Sequence, residues 1–316
     1  MRTELPLALF AAGLACSLFV APAQAQRART FVASYGNDAN PCTFLSPCRN
    51  FQQAVNVVAA GGEVTAIDSA GFGSIIITQA VTVSSPDGVE AGIAVPSGGI
   101  GITINAGSSD VVSLHGLTLD GAGVGEDGIK FNSGSSLRME NCIARNFKNS
   151  GLQFLSTTSA AQTLTVSKSY FYSGHFEGIL IDAQSSGLVS AAIDRTVLSG
   201  NGTGLGVSGL SGTAKITVAV TDSVAANNSG PGFAAVDNGS SVAAITVSHT
   251  SVVGNSIGVS ATGQFAAIVL AQSTLMGNST AAFEANLGAF VFTFDNNFLS
   301  FNGANNVGSL TTTSAQ

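Results

Sequence analysis

Apolar residues alternate with polar or small ones through most of this chain, in short runs without helical spacing. Ser136-Leu-Arg-Met-Glu140, Gln162-Thr-Leu-Thr-Val166 and Lys215-Ile-Thr-Val-Ala-Val220 each set an apolar side chain at every second position. Period-2 patterning of this kind predicts half-buried strands. Gly, Asn, Ser and Thr separate the runs, as turns require. The pattern also recurs on a longer scale. Segments of the form Gly-apolar-x-apolar open at Gly101, Gly128, Gly151, Gly178, Gly204, Gly232 and Gly258, with a degenerate copy at Ala281. The intervals between these openings are 27, 23, 27, 26, 28, 26 and 23 residues. Most units close on a small residue, two or three mostly apolar residues, another small residue and an Asn. Asn146, Asn201, Asn227, Asn255, Asn278 and Asn302 end such segments.

A unit of this length cannot bury an apolar face alone, so neighbouring units must stack. About three short strands fit in each unit. Alternate side chains then point into a lumen, and every strand pairs with its counterpart one coil away at ~4.8 Å. The expected fold is all-β: a single-stranded, right-handed parallel β-helix of about ten coils, its hand taken from the general chirality of parallel crossovers. The recurring Asn reads as a turn residue whose stacked amides form a ladder along the rod, not as a catalytic group.

Both ends of such a rod need covers. Ser46-Pro47 reads as the start of a short helix over 47–60, with Phe51, Ala54, Val55 and Val58 on one face and Gly61-Gly62 after it. Phe283, Phe290, Phe292, Phe294, Phe298 and Phe301 crowd the last coil and read as an aromatic plug. The organisation expected is a signal segment over 1–25, an N-terminal cap over 26–60, the β-helix over 61–304 and a polar, mobile tail over 305–316.

Composition narrows the setting. Net charge is −7 and charged residues make up only 9% of the 316, against ~25% in ordinary domains. That poverty suits a narrow stacked core with a Ser/Thr/Asn surface. Mild acidity with no basic run excludes nucleic acid as a partner. Leu5 to Val20 is apolar after Arg2, and Ala23-Gln24-Ala25 fits a cleavage site, so the chain is expected to be secreted or periplasmic, starting at Gln26. No later apolar run is long enough for a transmembrane segment. Export implies oxidising conditions, in which Cys42 and Cys48 are the natural disulfide. Cys142 falls in a column of small residues and reads as a buried stack position.

With coils, Asn column and cap in view, the chain resembles the pectin-lyase-like superfamily of right-handed β-helix proteins. Asn40-Pro-Cys42, then Pro47-Cys48-Arg49-Asn50-Phe51-Gln52-Gln53-Ala54-Val55 and Gly61-Gly62-Glu63-Val64, resemble the opening of uncharacterised exported bacterial members. The likeness implies the fold and a polysaccharide partner, but one fold hosts many activities. Polygalacturonase-like members carry Asp-Asp, Gly-His-Gly and Arg-Ile-Lys; this chain has none of the three. Glycoside hydrolysis needs two carboxylates flanking one bond, so that absence weighs against it. Pectate-lyase-like members hold calcium on acidic residues and use an Arg as base.

Three candidate surfaces follow. The Gly-rich turn from Asp120 to Gly128 holds Asp120, Glu126 and Asp127, hard oxygen ligands suited to calcium, with Lys130 or Arg138 as base. Its bland reading is a solvated turn. The turn from Tyr170 to Glu177 breaks the Asn column and gathers Tyr170, Tyr172, His175 and Glu177, groups able to stack on and bond to sugars. Its bland reading is inward aromatics beside a solvated loop. An outward polar column of Glu140, Ser167, Arg195, Thr221, His249, Gln272 and Asn296 could follow a chain-like ligand, although any water-facing strand requires such residues. The leading expectation is a non-catalytic, monomeric exported rod presenting a rigid face to extracellular or cell-wall glycan. The alternatives are a calcium-assisted polysaccharide lyase and a structural or adhesive rod.

Overall fold

The computed structural model describes residues 27–294 and 296–312; the expected signal segment lies outside them. Each repeat contributes three strands, one to each of three parallel sheets. Asp127–Ser133, Ser136–Glu140 and Ile143–Arg145 make one such coil. The opening strands form a sheet of nine, the middle strands one of 12 and the closing strands one of ten. Each strand pairs in parallel with its counterpart one repeat away, as Ile129 does with Ile102 on one side and Leu152 on the other.

The core is a set of columns, not a layer between sheets. Ile102, Ile129, Leu152, Ile179, Leu205, Phe233 and Val259 stack through the lumen and are buried. Phe131 and Phe154 stack nearly parallel one coil apart, with centroids 4.2 Å apart. Full burial of each such side chain is worth roughly 1.5–3 kcal/mol, and the gain repeats with every coil. The glycine that opens each repeat has a steric cause. A methyl group at Gly178 would lie 2.8 Å from the carbonyl oxygen of Gly204 and 2.9 Å from the Asn201 amide nitrogen. The same collision with the next coil's carbonyl recurs at Gly128, Gly151, Gly204 and Gly232.

Strand pairing corrects the alignment of the closing segments. Tyr170 pairs with Val197, and Val197 with Val224, so Asn201 stacks on Asn228 and not on Asn227. The true ladder is Asn201, Asn228, Asn255, Asn278 and Asn302, in which each backbone N–H donates to the Oδ1 of the next Asn. Asn146 and Asn227 belong to the preceding column. There Asn146, Ser173, Gly200, Asn227, Gly254 and Gly277 all take positive φ. The turn thus makes two demands, a left-handed residue followed by an amide, and Asn satisfies both. That is why the pattern reads one residue out of step.

A second ladder closes the corner between the middle and closing sheets. The Oγ groups of Ser169, Ser223 and Ser273 accept from the backbone N–H of Cys142, Thr196 and Thr250. Cys142 therefore shares its column with Thr196 and Thr250, and burial pushes its thiol pKa up to about 11. The expected outward polar column also divides in two. Glu140, Ser167, Asp194 and Thr221 pair across the middle sheet. Lys168, Arg195, Asp222, His249 and Gln272 occupy the next, positive-φ position.

The two covers differ from expectation in detail. The helix is shorter, Phe51–Val57, and buries Phe51, Ala54 and Val55. Ser46 is held instead by reciprocal backbone bonds with Thr43, and the Asp38 carboxylate receives the N–H groups of Arg49 and Asn50 just before the helix. Cys42 and Cys48 form the expected disulfide, with Cα atoms 4.6 Å apart. At the other end only Phe283 of the aromatic group is buried; Phe298 and Phe301 are exposed. The cover comes from the segment expected to be a mobile tail. Val307 bridges to Glu284, and Leu310–Thr312 adds a strand beside Phe290–Thr293. Leu310 packs against the core, which gives the segment a reason to fold back.

Candidate functional site

The two candidate turns meet. They lie at the same corner of the rod, between closing and opening sheets, and with the intervening turn they line one open groove of about 1000 Å³. Ala122, Gly123 and Glu126 supply one wall, Phe147, Lys148 and Asn149 the floor, and Ser173 to Phe176 the other wall. The groove forms where the Asn ladder stops. In the ladder column Asn201 is followed by Gly174, whose N–H donates to Asn201 Oδ1 at 2.9 Å, and then by Phe147. Gly174 leaves the corner unfilled. The Phe147 ring closes the lumen beneath, packed so tightly that a Cβ on Gly121 or Gly128 would strike it.

Polar groups around the groove are fixed by bonds between coils. Asn149 Nδ2 donates to Glu126 Oε2 at 3.0 Å. Ser150 ties together the two carboxylates that directly follow groove residues: its N–H donates to Asp127 Oδ1 at 3.1 Å and its hydroxyl to Glu177 Oε2 at 3.3 Å. Burial raises the Asp127 carboxyl above the ordinary value. The Ser150 N–H and Lys130 oppose the rise, while the Glu126 charge adds to it. Burial raises Glu177 too, against the Ser150 bond and with the Asp127 charge reinforcing it. The exposed Phe176 ring stands on the rim with His175 edge-on, centroids 4.7 Å apart.

The remaining candidates are dispersed. Asp120 lies on the closing sheet, bonded by Arg145 Nε at 2.7 Å, Asn146 Nδ2 at 3.0 Å and the Ala122 N–H at 2.8 Å. Burial alone would raise its pKa; these bonds outweigh burial and hold it below the ordinary carboxylate range. Among the described residues no three His, Cys, Asp or Glu side chains gather as metal ligands. Asp120, Glu126 and Asp127 therefore do not converge as a calcium set. Lys130 stands on the opening sheet between Thr103 and Gln153, and Arg138 on the middle sheet between Ser113 and Thr165. Of the four glycan candidates, His175 lines the groove and Glu177 lies just behind it. Tyr172 accepts from Arg145 Nη1 at 3.0 Å on the closing sheet, where Tyr170 is exposed. Phe147, Lys148 and Asn149 were not singled out in the sequence. Their signal was the break in the Asn column, legible only in the corrected register.

A stack of three-stranded coils in three parallel sheets defines a parallel β-helix, and sequence comparison agrees. The family described as "Right handed beta helix region" matches residues 100–299, so the chain belongs to that family, which also establishes the hand of the coil. In fold it is similar to pectate lyase Pel9A, with a TM-score of 0.57, 15% identity and coverage of 89% of this chain and 81% of that one. It is also similar to the mannuronan C-5 epimerase AlgE4 A-module of Azotobacter vinelandii, at TM-score 0.49, 16% identity and 78% of each chain. A rhamnogalacturonan lyase aligns at TM-score 0.40 and 11% identity, over 89% of this chain and 84% of that one. No curated protein sequence matches the chain significantly.

Proposed function

We propose that this chain is an exported glycan-binding β-helix protein whose corner groove receives a segment of extracellular or cell-wall polysaccharide. The groove itself carries the reading. It is open, about 1000 Å³, and combines an exposed ring at Phe176 with Glu126, Lys148, Asn149 and His175. A ring face beside fixed donors and acceptors suits a sugar, which has apolar faces and a hydroxylated rim. The Cys42–Cys48 disulfide is in keeping with an oxidising compartment. The fold neighbour's name makes pectate a first ligand to try.

A lyase is the second reading, favoured by one observation. Asp127, buried, and Glu177, half-buried, are two carboxyls with raised pKa on either side of Ser150, next to the groove, and perturbed acids mark sites of proton transfer. In this reading any calcium would be held by groups other than a converged Asp120–Glu126–Asp127 set.

The deciding experiment measures retention of the protein on immobilised pectate, alginate and neutral glycans, alongside unsaturated product release with and without calcium. Retention without product, lost in Phe176→Ala, supports the binder. Product release abolished by Asp127→Asn replaces it with the lyase. No retention and no product on any glycan leaves a structural rod and overturns both.

A further inference from the structure

We infer, resting on the glycan-binding reading, that the corner groove takes up protons on Asp127 and Glu177 when a sugar enters, so that affinity is highest in weak acid and falls toward neutral pH. One buried residue joins the three parts of the groove. Ser150 directly follows the floor residues Lys148 and Asn149, Asp127 follows Glu126 in one wall, and Glu177 follows Phe176 in the other. Ser150 is 2% exposed and Asp127 3%, while Glu177 is half-buried. The Ser150 N–H donates to Asp127 Oδ1 and its hydroxyl to Glu177 Oε2. Two acids therefore converge on one side chain and its backbone, from the coil before it and the coil after it, directly behind the binding surface.

Few charges surround the pair. The strands packed beside it, Ile100–Asn105, Leu152–Ser156 and Thr203–Gly209, carry no titratable side chain. The acids' own strands bring Lys130 and Asp182, and the groove turns bring Glu126, Lys148 and His175. On the closing sheet Asp120 and Tyr172 are both bonded to Arg145. Lys130 favours the ionised Asp127 and Glu126 opposes it, while Glu177 meets the Asp127 charge. Burial already disfavours ionisation at both acids. A sugar seated on Phe176 and Glu126 displaces water from the half-buried Glu177 beside them. Losing water disfavours the charged forms further, and the two like charges repel more strongly as the local dielectric falls. Proton binding and sugar binding then strengthen each other by the same factor. The bound state keeps its protons to higher pH than the free state does. The gain in affinity is therefore complete in acid and is lost as pH rises through the bound-state titration.

Retention on immobilised pectate, alginate and galactan is measured from pH ~4.5 to ~8, with melting temperatures taken at each pH to establish folding. The parent should bind roughly fivefold or more tightly at the acid end than at the other. Asp127→Asn/Glu177→Gln keeps an oxygen acceptor for each Ser150 donor and fixes the neutral form. It should bind near neutral pH as the parent does in acid. Any titration of the glycan itself is common to both proteins, so the difference between their curves belongs to the pair. Ser150→Ala removes a donor to the ionised Glu177 and should carry the fall in affinity to higher pH. A parent curve that is flat or rises with pH, the same fall in the double variant, loss of binding by the folded double variant at every pH, or an unmoved fall in Ser150→Ala would each overturn the proton linkage while leaving the groove a glycan site. No retention of the parent on any glycan at any pH would overturn both.

Discussion

Asn228 donates twice to one oxygen of the next coil: its backbone N–H reaches Asn255 Oδ1 at 3.0 Å and its side-chain amide reaches the same atom at 2.8 Å. Asn255 in turn donates to the carbonyl of Ala225 and to Asn278 Oδ1. The Asn255 amide thus satisfies two buried backbone groups of the preceding coil, the Asn228 N–H and the Ala225 carbonyl, and bonds to the ladder amide of the following one. Asn255→Ala strands those groups away from water, where each unsatisfied polar group costs about 1–3 kcal/mol. We expect a loss of roughly 2–4 kcal/mol in urea unfolding. Asn227→Ala, one residue out of the ladder, should cost about 1 kcal/mol for its positive φ alone. Equal losses at both positions would contradict the corrected register.

The opening glycines give a parallel contrast. Gly178→Ala places a methyl 2.8 Å from the Gly204 carbonyl oxygen and 2.9 Å from the Asn201 amide nitrogen, which is itself held on the Phe171 carbonyl. Gly277 has positive φ but open space around its missing side chain. We expect Gly178→Ala to cost roughly 2 kcal/mol or more and Gly277→Asn to be nearly neutral, as Asn146 and Asn227 are in that column. Thermal melting of the two variants compares them directly.

Stability should peak in weak acid. The folded state keeps protons on Asp127 and Glu177 longer than the unfolded chain does, because burial raises both. Their contribution is complete below the ordinary carboxyl pKa and is lost as pH rises from about 4 through the raised values. Glu140 and Asp194 act in the opposite sense. Hydrogen bonds from Lys168 and Arg195 lower them, so their contribution is lost as pH falls. The melting temperature of Asp127→Asn/Glu177→Gln should fall less than the parent's between pH ~4 and ~7. Parallel curves would show that the pair is not perturbed.

The fold was legible because the solenoid writes its geometry into the sequence once per coil. Gly at the opening, alternation in the strands and Asn at the corner are each the answer to a local demand met at Gly178, Leu164 and Asn255. Register was harder. Two adjacent turn positions both favour Asn, one for its backbone angle and one for its amide, so Asn227 could be mistaken for Asn228. The groove was hidden by the same ambiguity. Phe147 and Gly174 stand out as ladder gaps only when the ladder is placed correctly. The cover at the C-terminal end was misassigned for a different reason: Val307 and Leu310 are isolated apolar residues in a polar segment, and only the exposed edge of the last coil makes them useful.

The groove makes a prediction that separates it from the aromatic set suggested by the sequence alone. Phe176 and His175 face the groove, whereas Tyr170 lies on the outer face of the closing sheet and Tyr172 is engaged by Arg145. Removing a ring that stacks on a sugar should cost about 1 kcal/mol of binding, or roughly fivefold in affinity. Phe176→Ala is exposed and unbonded, so its melting temperature should stay with the parent's while glycan retention falls. Asn149→Ala should also weaken retention, by freeing Glu126 from its 3.0 Å bond. Tyr170→Ala is the control and should bind as the parent does. Titration calorimetry with the best ligand from the glycan panel measures all three. Loss in Tyr170→Ala with none in Phe176→Ala would move the binding surface off the groove and onto the closing sheet.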